Sequence, residues 1–439
     1  MSNAFVIGAA HTRFGEVWDK SYRQLMTEAG LGALKDAKIS GEDIDEVFVG
    51  TMSTGKLVGQ EHVAGLLLDG AGLADVHLPA TRVEAAGASG GLAFRQAVQA
   101  IRSGSADLVV VGGIEKMTDV SDSDAAAIAA SGIDQEWEAF FGATDASMHA
   151  LLAKRHMHEH GTTREQMAEV AVKNHRHAVH NPLAQFQREI SVDTVLKAPK
   201  VAEPLGMFDG APLSDGAACV VLCSDKLVDQ HADAVKVSGS GQASDTLALH
   251  DRRDLTTWLA TEHAARRAYA QAQISVADID LAEVHDGYTI NEILAIEDLG
   301  FVKKGDGGPA TAEGRTTFGG DIVVNPSGGL KARGHPAGAT GIAQIAELTW
   351  QLRGQAGGRQ VKDARIGVAH NTGGRHDRHI RAFHGGFNVF FRIDQLYAAR
   401  FTTTTCVHLG FDHPHVAADL FTCVFSFFGS VHSKAPVHG

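Results

Sequence analysis

The feature that most constrains the fold of this chain is an internal repeat. Residues 39–45 read ISGEDID, and residues 274–280 read ISVADID. Each copy follows an alanine-rich helical stretch, 25–37 in the first and 263–272 in the second, and each leads into a short apolar strand. Ser and Asp supply the turn and cap chemistry expected where such a helix ends. The repeat therefore predicts two similar halves.

A second correspondence, further along each half, supports the same prediction. Residues 86–91 (AGASGG) and 334–341 (GHPAGATG) are glycine-rich turns that each open a helical stretch. A continuous apolar strand follows each helix, at 107–113 and at 365–369. Short apolar strands that alternate with helices are typical of parallel sheets covered on both faces. The sequence thus predicts a duplicated α/β fold.

These correspondences set the expected domain boundaries at residues 1–232 and 233–374. Residues 118–207, rich in Ala, His and Gln, are interpreted as a mainly helical insertion that either supplies ligand contacts or is a structural excursion. Residues 375–439 differ in character, since they hold eight of the 24 histidines and ten of the 20 phenylalanines but no glutamate. They show no helical or strand period, which leaves a change of reading frame or a genuine interaction segment as alternatives.

Composition excludes several classes of protein. The net charge of −13 argues against a nucleic-acid partner. No apolar run is long enough to cross a membrane. Four cysteines without metal-ligand spacing indicate neither a disulfide scaffold nor a zinc site, so we expect no metal and a reducing, cytoplasmic location.

Three glycine-flanked loops each carry a histidine and follow a strand or open a helix. His335 lies in GHPAG, His285 in EVHDGYT with Asp286 as a possible orienting neighbour, and His370 in VAHNTGG. Taken alone, each is more simply explained as a loop histidine whose ring nitrogens form hydrogen bonds within the protein. Three in one half are more informative, because ligands of α/β sheets bind at the carboxyl ends of strands and histidine transfers protons near neutral pH.

The order of these motifs resembles that of the thiolases over residues 3–374. The resemblance is carried by VEAAGASGG at 83–91, GGIEKM at 112–117, SDGAA at 214–218, HDGY at 285–288 and GHPAGATG at 334–341. The His-Asp pair points to the sterol-carrier-protein-x-like branch common in archaea.

The resemblance implies two α/β halves packed as five αβαβα layers, with an inserted loop domain that helps to bind coenzyme A. It also implies an acetyl-CoA C-acetyltransferase-like enzyme of lipid and isoprenoid-precursor metabolism that catalyses Claisen condensation or thiolysis of a 3-ketoacyl-CoA. Coenzyme A thioesters are its substrates, without a permanently bound cofactor, and Gly334, Gly338 and Ser327 are expected to contact them. A homodimer or tetramer, and a small zinc-ribbon/OB-fold partner, are the expected assemblies.

In family members a cysteine accepts the acyl group, and the histidine matching His335 activates it. That histidine and the one matching His285 form the oxyanion sites, and His370 joins them as a candidate. This sequence departs from the pattern twice, because Gly87 occupies the nucleophile position and Gly287 the position of a second, acid/base cysteine.

These departures leave three hypotheses. The chain is an active acyltransferase in which Ser89 or a water replaces the thiol, or in which Gly87 is a sequence error. Alternatively, it keeps the thioester site and decarboxylates a β-keto or malonyl thioester. Finally, it is a non-catalytic, acyl-CoA-binding subunit of a thiolase complex. For Ser89, a hydrogen bond within the helix-entry turn is the simpler interpretation.

Overall fold

The computed structural model describes residues 2–373 and the backbone of Asn388–Gln395. Its strands are β1 (Ala4–His11), β2 (Glu46–Gly50), β3 (Ala80–Val83), β4 (Leu108–Lys116), β5 (Lys200–Ala202), β6 (Leu205–Gly206), β7 (Asp215–Ser224), β8 (Val235–Ala243), β9 (Leu281–Glu283), β10 (Val323–Val324), β11 (Ile366–Asn371) and β12 (Asn388–Gln395). Its α-helices are α1 (Tyr22–Ala37), α2 (Thr54–Val58), α3 (Val63–Ala71), α4 (Ser89–Ser103), α5 (Asp122–Ala129), α6 (Asp145–His160), α7 (Arg164–Ala178), α8 (Val192–Lys197), α9 (Leu259–Ala272), α10 (Thr289–Asp298), α11 (Gly307–Ala312), α12 (Gly329–Arg333) and α13 (Ala337–Leu352).

Strand order shows the duplication directly. The first half is ordered β3-β2-β4-β7-β1 and the second β10-β9-β11-β12-β8, so each strand has a counterpart in the same place. In both halves the first three strands of this order are parallel, and the fourth runs antiparallel to both neighbours. The two sets join where β1 pairs antiparallel with β8, with Ala4 opposite Val237. The predicted duplicated α/β fold is confirmed.

The repeat in the sequence corresponds to a repeat in backbone geometry. Helices α1 and α9 end at residues in the left-handed conformation, Lys38 with φ +57° and Gln273 with φ +56°. In each half a serine, Ser40 or Ser275, then forms a capping box with an aspartate three residues later. The two heptapeptides therefore end a helix and start a strand by the same mechanism.

The layers follow from which faces are buried. Helix α1 packs on the outer face of β1 and β7, while α9 and α10 pack with β9 on the far side of the second half. Helices α4 and α13 pack together in the core between the halves. Glycine permits this close approach: a β-carbon on Gly90 would lie 2.4 Å from the carbonyl oxygen of Gly338. This is the expected αβαβα arrangement.

The insertion is helical, as expected, and consists of α5 to α8 with the small hairpin β5–β6. Helix α7 inserts polar side chains into the second half: Asn174 donates to Asp286, and the ring of His177 bonds the carbonyl of Asn325. The insertion is therefore packed against the loops that hold the three histidines.

The last strand of the second half comes from beyond residue 374. Asn388–Gln395 form β12, which pairs antiparallel with both β11 and β8. This segment shows no strand period in its sequence, and it is a strand because two open edges flank it. The other residues of 375–439 lie outside those that the structure describes, so the choice between frame change and interaction segment stays open there.

Candidate active site

Gly87 lies on the wall of a cavity of about 230 Å³ that the first half, the insertion and the second half all line. It sits in the short turn between β3 and α4 and, unlike Ala86 with φ +47°, does not need a left-handed backbone. A β-carbon there would lie 2.9 Å from Cε1 of His285 and 3.0 Å from the carbonyl oxygen of Thr372. The histidine ring thus occupies space that a side chain at residue 87 would need.

Gly287 lines the same cavity and has more room. A β-carbon there would meet its nearest neighbour, Nε2 of His285, at 3.5 Å, an ordinary contact distance. Both glycines predicted at reactive positions therefore face His285, one tightly and one loosely.

Ser89 is buried, and its hydroxyl is used within the helix-entry turn. Oγ donates to the carbonyl oxygen of Ala86 at 2.7 Å and accepts from the backbone N–H of Ala85 at 2.9 Å. Ser89 is not among the residues that line the cavity. This geometry is that of a turn-stabilising serine.

The ring of His335 is held in one tautomer. Thr340 gives its hydroxyl proton to the carbonyl of Pro336, so its oxygen accepts from Nδ1–H of His335 at 2.7 Å. This leaves Nε2 with a lone pair. Burial lowers the pKa of His335 to about 4, so the ring is neutral at pH 7 and its Nε2 can accept a proton.

His285 takes the opposite tautomer. Nδ2 of Asn371 is a donor and lies 3.1 Å from Nδ1 of His285, so Nδ1 accepts and Nε2 carries the proton. Burial, and then the neighbouring His335, hold the pKa of His285 well below its usual value. The rings of His285 and His335 are perpendicular, with centroids 5.1 Å apart. The cavity wall thus presents one neutral proton acceptor beside one neutral donor.

Asp286 does not orient His285, contrary to the expectation from sequence. Its carboxylate accepts the backbone N–H groups of Leu330 and Lys331, and so caps α12. Burial, together with nearby Glu292, raises the pKa of Asp286 to about 6. Asn371 is the residue that positions the ring, and it was visible in the sequence only as the neighbour of His370.

His370 lies behind the cavity wall rather than on it. Its Nε2 is 3.1 Å from Oγ1 of Thr261, and its ring stacks on Trp258, a cavity residue, at 6.3 Å. His370 thus adjoins the site through Trp258 and through its chain neighbour Asn371.

The three residues expected to contact coenzyme A are absent from the lining of the cavity. Ser327 is buried and donates to Glu283, which also binds Arg333. Gly334 has φ +112°, and a β-carbon on Gly338 would lie 2.3 Å from the carbonyl of Ile114, so these glycines are required by the backbone. Contact with coenzyme A stays a prediction for all three.

Several cavity residues receive no functional role from the sequence, although one of them, Tyr288, belongs to the HDGY motif. They come from α6, from the loop before α9 and from the residue after Gly287, and they are Asp145, His149, Asp245, Arg252, Trp258 and Tyr288. The rings of His149 and Tyr288 stack at 4.2 Å, across the insertion and the second half. Only tertiary packing brings these segments together.

Comparison with known proteins identifies the family. Residues 4–226 match the family model "Thiolase, N-terminal domain", and residues 241–383 match "Thiolase C-terminal domain-like". An acetyl-CoA acetyltransferase of Methanothermobacter thermautotrophicus is 55% identical over 375 residues, which cover 85% of this chain and 97% of the relative. The chain belongs to the thiolase family.

Two further likenesses support the predicted branch and fold. Sterol carrier protein 2 of Bos taurus is 34% identical over 413 residues, 91% of this chain and 75% of the relative. A solved structure described as "Ltp2-ChsH2(DUF35) aldolase" has a TM-score of 0.76 at 25% identity, covering 90% of this chain and 98% of that one. The protein is therefore a thiolase-type acyltransferase.

This thiolase has no cysteine in the described part of its cavity. Within residues 2–373 its cysteines are Cys219 and Cys223, both buried in β7, where burial raises the pKa of each thiol to about 12. Among the same residues, no cluster of three or more His, Cys, Asp or Glu side chains could hold a metal ion, and no helix is long and apolar enough to cross a membrane.

Proposed function

We propose that this thiolase acts on acyl-CoA thioesters through an enolate, in the acetyl-CoA C-acetyltransferase-like reaction of its family, namely Claisen condensation or thiolysis of a 3-ketoacyl-CoA. The observation that carries the proposal is the pair of neutral histidines with opposite tautomers. Nε2–H of His285 donates to the thioester carbonyl oxygen, where negative charge develops. Nε2 of His335 accepts the proton from the α-carbon.

Because Gly87 offers no nucleophile, acyl transfer in this chain proceeds directly between two thioesters. The enolate carbon of one forms a bond to the carbonyl carbon of the other, whose carbon–sulfur bond breaks. The departing thiolate takes the proton held on His335. Without a covalent intermediate this transfer is slow, since a nucleophile and its base act as a unit in enzymes that use both.

The enolate step can be tested without any acyl transfer. Wild-type protein should catalyse exchange of the acetyl-CoA methyl protons with D₂O, followed by NMR. His335→Ala and His285→Ala should each lose this activity, while His263→Ala, at an exposed position on α9, should keep it. Exchange that survives in both cavity variants would refute the proposal.

Thioester decarboxylation is a second candidate. It is favoured by the retention of both histidines where both reactive cysteine positions are glycine. After CO₂ leaves a malonyl or β-keto thioester, His285 would stabilise the enolate and His335 would relay a proton to its carbon. Release of CO₂ from malonyl-CoA that depends on His285 and His335 would support this candidate, and release equal to the uncatalysed rate would exclude it.

Assembly and setting belong to the same proposal. The similar solved structure pairs a thiolase-fold chain with a DUF35 subunit, and a relative 36% identical over 385 residues is named "Benzoylsuccinyl-CoA thiolase subunit BbsB". These names support a partner subunit, and with it the alternative of an acyl-CoA-binding subunit. That the partner is a small zinc-ribbon/OB-fold protein rests on family membership. A homodimer or tetramer, a cytoplasmic location, and a role in lipid or isoprenoid-precursor metabolism rest on family membership.

A further inference from the structure

Arg252 is the one Lys or Arg side chain among the described residues that line the cavity. It lies in the loop of residues 244–258, between β8 and α9, which also brings Asp245 and Trp258 to the cavity wall. In the same lining, Asp145 and Asp245 are the carboxylates. The enolate chemistry proposed for His285 and His335 gives no role to this guanidinium in the same cavity.

The guanidinium of Arg252 has no internal partner in the described part of the chain. Its Nε is buried without a hydrogen bond, and no described carboxylate lies within 4.0 Å of it. Glu138 and Asp245 are near enough to favour its charge but do not pair with it, and burial lowers its pKa. Since arginine stays protonated in proteins, this is a half-buried cation whose Nε is buried without a partner.

The loop that carries Arg252 is held at two points. Oε1 of Glu138 accepts the backbone N–H of Leu249 at 2.5 Å, and Oδ2 of Asp298 accepts that of Trp258 at 2.7 Å. Glu138 is thereby committed through one oxygen to the loop backbone. Arg252 lies between these two anchors in the chain, so the backbone on both sides of it is tied to the rest of the protein.

The loop lies at the reacting end of the cavity. The ring of Trp258 stacks on His370 at 6.3 Å, and the next residue, Asn371, donates to His285. The loop therefore packs, through Trp258, against the residues that hold the ring of His285, and Arg252 and His285 line the same cavity.

We infer that Arg252 binds a carboxylate on the acyl chain, so that a coenzyme A monothioester of a dicarboxylic acid is the preferred acyl substrate. With acetyl-CoA as the second substrate, condensation forms a 3-oxo dicarboxylic acyl-CoA and releases coenzyme A. Guanidinium and carboxylate match as a bidentate, charge-assisted pair. This inference rests on the proposed function, that the cavity binds acyl-CoA.

The test is equilibrium binding, which the missing nucleophile makes possible without acyl-enzyme formation. Succinyl-CoA, butyryl-CoA and free coenzyme A are titrated calorimetrically into wild type, Arg252→Gln, Arg252→Lys and the matched control Arg253→Gln, whose side chain is exposed. Succinyl-CoA and butyryl-CoA have acyl chains of equal length and differ in the terminal carboxylate. The melting temperature and the affinity for butyryl-CoA report whether each variant is folded.

Wild type should bind succinyl-CoA at least roughly tenfold more tightly than butyryl-CoA, as a hydrogen-bonded charge pair allows. Arg252→Gln should remove that preference and leave the affinity for butyryl-CoA within about twofold, while Arg253→Gln changes nothing and Arg252→Lys keeps part of the preference. If Arg252→Gln weakened the binding of succinyl-CoA, butyryl-CoA and free coenzyme A equally, Arg252 would be assigned to the phosphates of coenzyme A and the inference overturned. If the wild type bound succinyl-CoA and butyryl-CoA with equal affinity, Arg252 would be assigned to balancing the charges of Glu138 and Asp245, which would also overturn the inference. Failure of every coenzyme A ligand to bind would overturn the proposed function first.

Discussion

Restoring a thiol at residue 87 is the most direct perturbation of this site. In enzymes whose nucleophile and base act together, losing the nucleophile lowers kcat by on the order of 10⁶. Gly87→Cys supplies that group in the cavity that His335 also lines, and His335 is a neutral proton acceptor whose pKa is about 4. The full gain is not expected, because the ring of His285 and the carbonyl of Thr372 occupy part of the space that the new side chain needs.

The crowding can be estimated from the structure. A β-carbon on Gly87 would lie 2.9 Å from Cε1 of His285 and 3.0 Å from the carbonyl of Thr372, so the ring must shift by a few tenths of an ångström. Overpacking of a buried site costs about 1–3 kcal/mol. At about 1.4 kcal/mol per factor of ten, this removes roughly 10- to 100-fold from the gain and leaves an increase of about 10⁴- to 10⁵-fold, if the whole cost falls on the reacting geometry.

Thiolysis of acetoacetyl-CoA by coenzyme A is the assay, with intact-mass spectrometry to detect an acetyl group on the protein. Gly87→Ala is the matched control, since it adds the same β-carbon and the same crowding without a thiol. It should melt at the same reduced temperature as Gly87→Cys and show no gain in rate. A folded Gly87→Cys protein that gains no more than Gly87→Ala, or carries no acetyl group, would refute the assignment of residue 87.

Three further predictions follow from the described contacts. Asn371→Leu removes the donor to Nδ1 of His285 and should lower methyl-proton exchange in acetyl-CoA roughly 100-fold with little change in melting temperature; unchanged exchange would show that another group sets the tautomer. Burial lowers the pKa of His11 and His177 to about 3, so below the unfolded value of 6.5 the unfolded chain binds protons that the folded chain does not. Stability should therefore fall as the pH drops from 6.5 towards 4, by roughly 1.4 kcal/mol per pH unit for each such group, and urea unfolding of His177→Gln should show a shallower pH dependence than wild type. A chain that ends at Gly373 lacks β12, whereas one that ends at Leu396 keeps it, so the shorter chain should melt at a lower temperature; equal melting temperatures would mean that β12 does not complete the sheet.

The architecture could be predicted from the sequence because it depends on local and periodic information. Two heptapeptides that end a helix and start a strand imply two copies of one unit, and the structure shows both ending at left-handed residues, Lys38 and Gln273. The glycine turns before α4 and α13 imply close packing, and these helices meet in the core. Likewise, the sequence alone places Gly87 in the turn before a helix and the three histidines in glycine-flanked loops.

The state of the site was decided by tertiary structure. A sequence cannot show which nitrogen of His285 carries the proton, because that depends on Asn371, which is 86 positions away in the chain. The sequence neighbour Asp286 was the natural candidate, yet it caps α12. Ser89 was ambiguous until its hydroxyl was placed within the turn.

The same reason explains Arg252 and β12. An arginine in a polar loop has no distinguishing pattern, and its isolation in a cavity arises from burial against segments remote in sequence. Residues 388–395 form a strand because β8 and β11 each offer an open edge, which local propensity does not report. The sequence alone shows that residue 87 is a glycine. Only the fold shows that the ring of His285 is packed into the space that a side chain at residue 87 would fill.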